Sequence, residues 1–199
     1  MDGNRRSIQT SIYLPHFLSW IILAGVLVDI LSPSYGIVNR VIKALGFEPV
    51  FFLGSNTWFP YVLIFSEIWK EFGFGTIVYL AAIVSIDPSL YESAIVDGAN
   101  KWKQIWHITI PGILPIITLI SLLNLGSILA GNFDQVFNLY SPQVYRSGDI
   151  LDTLIYRVGM LDANYSLSTA IGLFKSFVSM ILISLSYYLA YKLADYRIF

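Results

Sequence analysis

The sequence predicts an all-α membrane protein: a polytopic helical bundle of four transmembrane helices, with a cytoplasmic helix-turn-helix loop between the second and third. Three observations carry that reading. The 199 residues are 56% hydrophobic and 13% charged, with a mean hydropathy of +0.66, whereas an ordinary soluble domain carries about 25% charged residues. The apolar residues gather in four runs near the ~20 residues that a membrane crossing needs. Within those runs the pattern is helical, without the alternating segments of about ten residues that mark outer-membrane strands. There is no repeat of fixed period and no low-complexity tract.

The same composition excludes other classes. The net charge of -1 offers no basic face for nucleic acid. Cysteine is absent, which removes disulfide and thiol chemistry and leaves the redox compartment open. Arg5 and Arg6 precede an apolar run, but that run is too long and aromatic for a signal peptide and lacks a small-residue cleavage site.

In chain order, the first span is Tyr13 to Leu31, with Asp29 near its end. "GIVNRVIKALG" then places Val38, Val41, Ile42 and Leu45 at i, i+3, i+4 and i+7 with Gly46 as a stop, a short amphipathic helix. The second span, Phe59 to Ile86, is long enough to tilt and is interrupted by "EIWKEFGFG". Residues 87–111 form the loop. The third span is Gly112 to Gly131, closed by "GNFDQ" (Gly131 to Gln135). "GDILDTLIYRVGML" repeats the amphipathic device with Leu151, Leu154, Ile155 and Val158. The fourth span is Thr169 to Leu193. Both amphipathic stretches suit a membrane surface, a neighbouring subunit or plain loop packing. Lys and Arg concentrate on cytoplasmic flanks; Arg5, Arg6, Lys101, Lys103, Lys192 and Arg197 against Arg40, Lys43, Arg146 and Arg157 place both termini and the 87–111 loop in the cytoplasm, and 132–168 outside.

The loop, "YESAIVDGANKWKQIWHITIP" with the Asp87-Pro88 start before it, has its own logic. Asp87 is a capping side chain and Pro88 presets the first helical dihedral. Leu90 with Ala94 and Tyr91 with Ile95 pair at i, i+4, and Gly98 supplies a tight turn that other residues resist. Trp102, Ile105, Trp106 and Thr109 then share a face, and Pro111 marks the hand-over to the third span. Two short helices outside the bilayer present Glu92 and Asp97. Tryptophans at a membrane interface also serve as anchors, but an anchor needs neither a glycine hinge nor a capped acidic helix. A hinged helix pair suits a groove on another protein.

These residues resemble the EAA motif of permease subunits of ATP-binding-cassette importers. Glu92, Ala94, Asp97, Gly98, Ala99, Ile108 and Pro111 match it; Ser93 stands for the usual first alanine of the triplet and Ile110 for leucine. "YLPHFLSW", "IWKEFGFGTIVYLAAIVSIDPSLYESA" and "VYRSGDILDTLIYRVGML" extend the likeness over nearly the whole chain, to carbohydrate-uptake permeases of the oligosaccharide and aldouronate branch. Those subunits usually have six spans with this loop between the fourth and fifth, so the chain resembles the last four. The resemblance implies a single transmembrane domain over 1–199 in the bacterial inner membrane, working with ATPase subunits, a second permease subunit and an extracytoplasmic solute-binding protein. It implies that ATP and magnesium are held by the partner ATPase and that this chain binds no cofactor. Glu92 becomes the charged contact to the ATPase, Gly98 the hinge, and the Trp102/Trp106 face the packing surface.

Polar groups at membrane depth supply a candidate substrate pathway: Glu67, Lys70, Gly73, Ser121, Asn124, Ser127 and Asn132. Ionisable residues there cost about 2.5–3.5 kcal/mol each on insertion, so Glu67, Lys70 and Glu71 face protein or water. Glu67 and Lys70, at i and i+3, either pair and neutralise each other or line a route. Gly73 and Gly75 either thin the helix for close packing or open it to a cavity. Thr118, Ser121, Asn124, Ser127 and Gly131 lie near one helical face and serve as interhelical hydrogen bonds or as partners for sugar hydroxyls.

An enzyme is disfavoured. The two histidines, His16 and His107, make no metal cluster and read as interface residues, and there is no phosphate-cradling or nucleophile motif. A channel or secondary carrier accounts for polar spans but leaves the loop without a role.

Overall fold

The computed structural model describes residues 12–126, 129 and 131–194, with side-chain surroundings at 12–124, 129 and 131–188. The described residues are helical, with turns and extended links and no strand. Contacts divide the chain into two compact units, Met1–Gly73 with Ala130–Lys175 and Phe74–Leu129 with Ser176–Phe199.

The first predicted span is not one helix. A helical segment at 12–17 ends at Phe17, and a new helix, Trp20–Leu31, begins after a break at Leu18 and Ser19. Ser19 is extended (φ -66°, ψ 152°) and its hydroxyl accepts from the Ile22 N–H, so it caps a fresh helix instead of continuing the old one. The 12-residue helix that follows is only about 18 Å long, short of the ~30 Å hydrocarbon core. Its buried face, Trp20, Leu23 and Ala24, belongs to the first unit's core. There Ala24, Phe59, Leu139 and Val144 are buried together, with Leu27, Leu53, Leu63 and Tyr140 packed around them.

The amphipathic helix predicted around Val38 is Ile37–Ala44. It closes at Gly46 (φ +87°), where Phe47 N–H reaches the Ile42 carbonyl and Gly46 N–H reaches Lys43, the paired bonds of a Schellman turn. Its inward residue is polar. Asn39 is 1% exposed and loses nothing by it, because its amide donates to the carbonyls of Leu31, Ser32 and Val50 and its oxygen accepts from the Val50 N–H.

Helix Phe59–Val84 spans 26 residues and is bent by 66° from Pro88–Val96. Among the described residues two helices, Lys101–Asn124 and Tyr165–Tyr188, are long and apolar enough to cross a membrane by themselves; the bent pair taken together makes a third. The third predicted span therefore starts early, at Lys101, and Pro111 does not separate two helices. Residues Lys101–Gln104, a π turn at Ile105–Thr109 and Ile110–Gly126 run on without a break. Proline lacks the N–H of the α-helical ladder and its ring crowds the carbonyl four residues back. The wider turn, in which the Ile110 N–H reaches Ile105, absorbs that conflict. Ser127 and the Ile128 and Ala130 end of the predicted span lie outside the described residues, as do Arg5, Arg6 and Arg197.

The fourth predicted span lies within Tyr165–Ala194. Its described side chains leave much apolar surface uncovered by this chain: Leu173 is 67% exposed, Phe174 65% and Phe177 58%. Apolar area on this scale belongs against lipid or other subunits.

Candidate functional site

The 87–111 segment folds as its residues require. The Asp87 carboxylate accepts from the Ser89 N–H at 2.9 Å, which holds that exposed carboxyl below the usual carboxylate range, and Pro88 opens helix Pro88–Val96. The helix ends on Gly98 at φ +73°. The Ala99 N–H reaches the Ala94 carbonyl (2.8 Å) and the Gly98 N–H reaches Ile95 (3.0 Å), so a full Schellman turn is built around the one residue free to adopt that dihedral. Two residues on, the Asn100 side chain caps the next helix by accepting from the Lys103 N–H at 2.9 Å.

Two side-chain bonds tie the halves together. The Tyr91 hydroxyl meets the Thr109 hydroxyl at 2.9 Å, and the Gln104 amide donates to the Ala99 carbonyl at 3.0 Å. His107 bonds the Lys103 carbonyl one turn back. Ala94, Ala99, Lys103, Gln104, His107 and Ile108 line a shallow concavity between the two helices. Around this internally fastened core the predicted contact residues stand outward. Glu92 and Asp97 are exposed, and Trp102 and Trp106 are 70% and 62% exposed.

The predicted pathway residues fall into separate groups. In the first unit, Glu67 accepts from the Asn132 amide at 3.0 Å, while Asn132 also caps helix Phe133–Leu139. One turn on, Gln135, 4% exposed, donates to the Leu63 carbonyl and to the Ser66 hydroxyl. Lys70 does not take the i, i+3 partner. Its ammonium donates to the His16 carbonyl at 2.7 Å and lies 3.6 Å from Glu71, with the Trp20 ring 5.7 Å away; the other Glu71 oxygen is 3.0 Å from His16 Nδ1. The break at Leu18 explains the exchange, because it turns the end of the 12–17 segment onto helix Phe59–Val84 and leaves a carbonyl there to be bonded. Gly73 serves close approach: a Cβ on it would lie 2.2 Å from the Ile12 carbonyl oxygen.

In the second unit, Ser121 and Asn124 are exposed on helix Ile110–Gly126. Thr118 is satisfied within its own helix by the Leu114 carbonyl. Ser127 lies outside the described residues.

Two groups were missed from sequence. Lys175, in the last helix, pairs with Asp152; a single lysine inside an apolar run was the signal. Asp149 and Arg157 form a second pair, with Arg157 4.3 Å over the Tyr145 ring. Burial raises the Asp149 carboxyl, but hydrogen bonds from Arg157 and Thr153 outweigh it and leave it below the usual range. The partners lie 8 and 23 positions apart in sequence, beyond the helical spacings that point to a neighbour.

Among the described residues the chain is all helical, with long apolar helices and a capped, exposed helix pair between them. It belongs to the binding-protein-dependent transport system inner membrane component family, whose pattern matches residues 4–199. The chain is 41% identical over 188 residues to protein LplB of Bacillus subtilis (strain 168), covering 94% of this chain and 59% of LplB. It is 38% identical over 195 residues to the polygalacturonan/rhamnogalacturonan transport system permease protein YteP of the same organism, covering 98% of this chain and 61% of YteP. Among solved structures, a chain of a bacterial alginate ABC transporter in complex with an alginate pentasaccharide-bound periplasmic protein superposes with a TM-score of 0.92 at 44% identity, covering 96% of this chain and 66% of that one. The chain thus spans about three fifths of the length of these two curated relatives.

Proposed function

We propose that this chain is a membrane-spanning permease subunit of an ATP-driven importer for an oligosaccharide, coupled through residues 87–111 to a separate ATPase subunit. The carrying observation is the helix pair itself, fastened internally by two caps, a Schellman turn and the Tyr91–Thr109 bond, yet presenting Glu92, Trp102 and Trp106 outward. A surface that is internally fastened and exposed at once suits docking into a partner's groove. Relatives named for polygalacturonan/rhamnogalacturonan transport and for alginate support a sugar cargo. In this reading a second permease subunit and a solute-binding protein complete the assembly, and it alternates between inward- and outward-facing states biased by ATP and ligand. Glu67, Lys70, Gly73, Ser121, Asn124, Ser127 and Asn132 remain the candidate route, with Lys70 and Gly73 serving chiefly to hold the 12–17 segment.

The test is reconstitution in vesicles with and without the ATPase. Uptake of oligosaccharide is expected only with the ATPase and ATP present; uptake by the permease without either marks a channel or secondary carrier instead. Orientation is checked separately. Cysteines replacing Lys103 and Ser147 are expected to react with an impermeant thiol reagent from opposite faces of the membrane, and labelling from one face overturns the four-span topology.

A further inference from the structure

Lys175 lies well inside Tyr165–Tyr188, a helix long and apolar enough to cross a membrane, where a lysine is costly to insert and normally faces protein or water. Its ammonium is bonded to the Asp152 carboxylate of helix Leu151–Tyr156. Anchoring alone does not account for the two charges, because an apolar pair of similar volume holds two helices together as well or better.

The surroundings of this pair differ from those of Lys70 and Arg157, the two other Lys/Arg residues of the same unit paired with a carboxylate among the described residues. Lys70 is closed in: its side chain is 9% exposed, with a backbone carbonyl at 2.7 Å and Trp20 alongside. Arg157 is fixed by two bonds to Asp149 and stacked on Tyr145. Lys175 and Asp152 keep 18% and 25% of their side-chain surface, much as Arg157 and Asp149 keep 21% each, so exposure separates the pair from Lys70, and the one bond to Asp152 separates Lys175 from Arg157. An ammonium on a flexible stem is a point charge, able to change partners without the planar fit a guanidinium demands.

We propose that Lys175 is a specificity-determining residue for a sugar bearing a carboxylate, a uronic-acid oligosaccharide, and that Asp152 is the resident counter-ion the sugar carboxylate displaces. The inference rests on the importer reading above. Asp152 keeps Lys175 from standing uncompensated at membrane depth when no sugar is present. A neutral sugar cannot replace it, so the pair discriminates by charge.

The experiment uses the full transporter in vesicles, with trigalacturonate and its fully methyl-esterified form as probes, which share a backbone and differ in charge. Wild type is expected to import the acid form in preference. Lys175→Gln is expected to lower uptake of the acid form about tenfold or more, in line with truncating one side of a shielded charge pair, and to lower ester uptake by a smaller factor. Asp152→Asn is expected to lower KM for the acid form. The exchanged pair, Lys175→Asp with Asp152→Lys, is expected to assemble without restoring acid uptake. Rescue by the exchanged pair makes the two residues a structural clasp and overturns the proposal, as does an equal loss for both probes in Lys175→Gln. If Lys175→Gln does not assemble, Asp152→Asn decides: a raised or unchanged KM, or failure to assemble, also overturns it. ATP-dependent import of neutral sugars only overturns the charge inference and leaves the importer reading standing, whereas ATP-independent uptake overturns that reading itself.

Discussion

Gly98→Val is expected to abolish sugar uptake while leaving the chain inserted in the membrane. The backbone at Gly98 has φ +73°, and a Cβ there meets nothing within 4 Å, so the penalty is one of dihedral strain without steric crowding. An L-residue in that conformation costs roughly 1–2 kcal/mol, and a β-branched side chain is the worst placed of all to adopt it. The two bonds that close helix Pro88–Val96 through Gly98 and Ala99 then fail together, and the helix loses its fixed relation to Lys101–Gln104. Gly98→Asn is the control. Asparagine tolerates the left-handed region, so it is expected to keep most of the uptake, an ordering that a loss caused by bulk alone does not reproduce.

Glu92→Lys attacks the same device from its outer face. Glu92 is exposed, so reversing its charge has little to disturb inside this chain. If it is seated against a cation of the ATPase, losing one side of that pair costs about 2–5 kcal/mol, at least roughly thirtyfold in affinity, and the ATPase is expected to wash away during purification. Measuring retained ATPase beside uptake separates the two variants: Gly98→Val loses motion, Glu92→Lys loses the partner. If both hold the ATPase and transport sugar at wild-type rates, residues 87–111 are a surface anchor and the coupling reading fails.

The loop was legible because its determinants are local. Asp87, Pro88, Gly98 and Pro111 act on backbone within a few residues of themselves, and the structure places a cap, a helix start, a positive φ and a π turn at those positions. Pro111 was located correctly but its consequence was not, since a proline can end a helix or be absorbed by a wider turn, and only the surrounding ladder decides. The first span failed for a related reason. The stretch from Tyr13 to Leu31 is mostly apolar, while one hydroxyl at Ser19 caps a fresh helix and redirects the backbone. Ion pairs were the least legible. Lys70 had Glu67 within helical reach, yet its bond goes to the His16 carbonyl, and Lys175 finds Asp152 across 23 positions of sequence. Helical spacing shows which neighbours are available, whereas tertiary packing chooses among them.

Two glycines close together in one helix are expected to respond oppositely to alanine. Gly73 and Gly75 both lie inside helix Phe59–Val84, where replacing glycine by alanine ordinarily gains about 0.8–1.0 kcal/mol of helix propensity. At Gly75 a Cβ meets nothing within 4 Å, so Gly75→Ala is expected to keep that gain and raise the unfolding temperature of the purified protein. At Gly73 the same atom lies 2.2 Å from the Ile12 carbonyl oxygen and 2.8 Å from the Ile12 carbonyl carbon. Both are backbone atoms, so no side-chain rotation relieves the contact and the 12–17 segment must move. Overpacking typically costs about 1–3 kcal/mol, and here the displacement also pulls the His16 carbonyl from Lys70 and the His16 ring from Glu71. Lys70, buried at 7% exposure, then loses a hydrogen bond it cannot replace with water, a further ~1–3 kcal/mol. Gly73→Ala is accordingly expected to lower the unfolding temperature, and a cysteine replacing Ile12 in that background is expected to react faster with a thiol reagent than the same cysteine in the wild-type background. Equal shifts for Gly73→Ala and Gly75→Ala defeat the clamp and return Gly73 to the list of residues facing an open cavity.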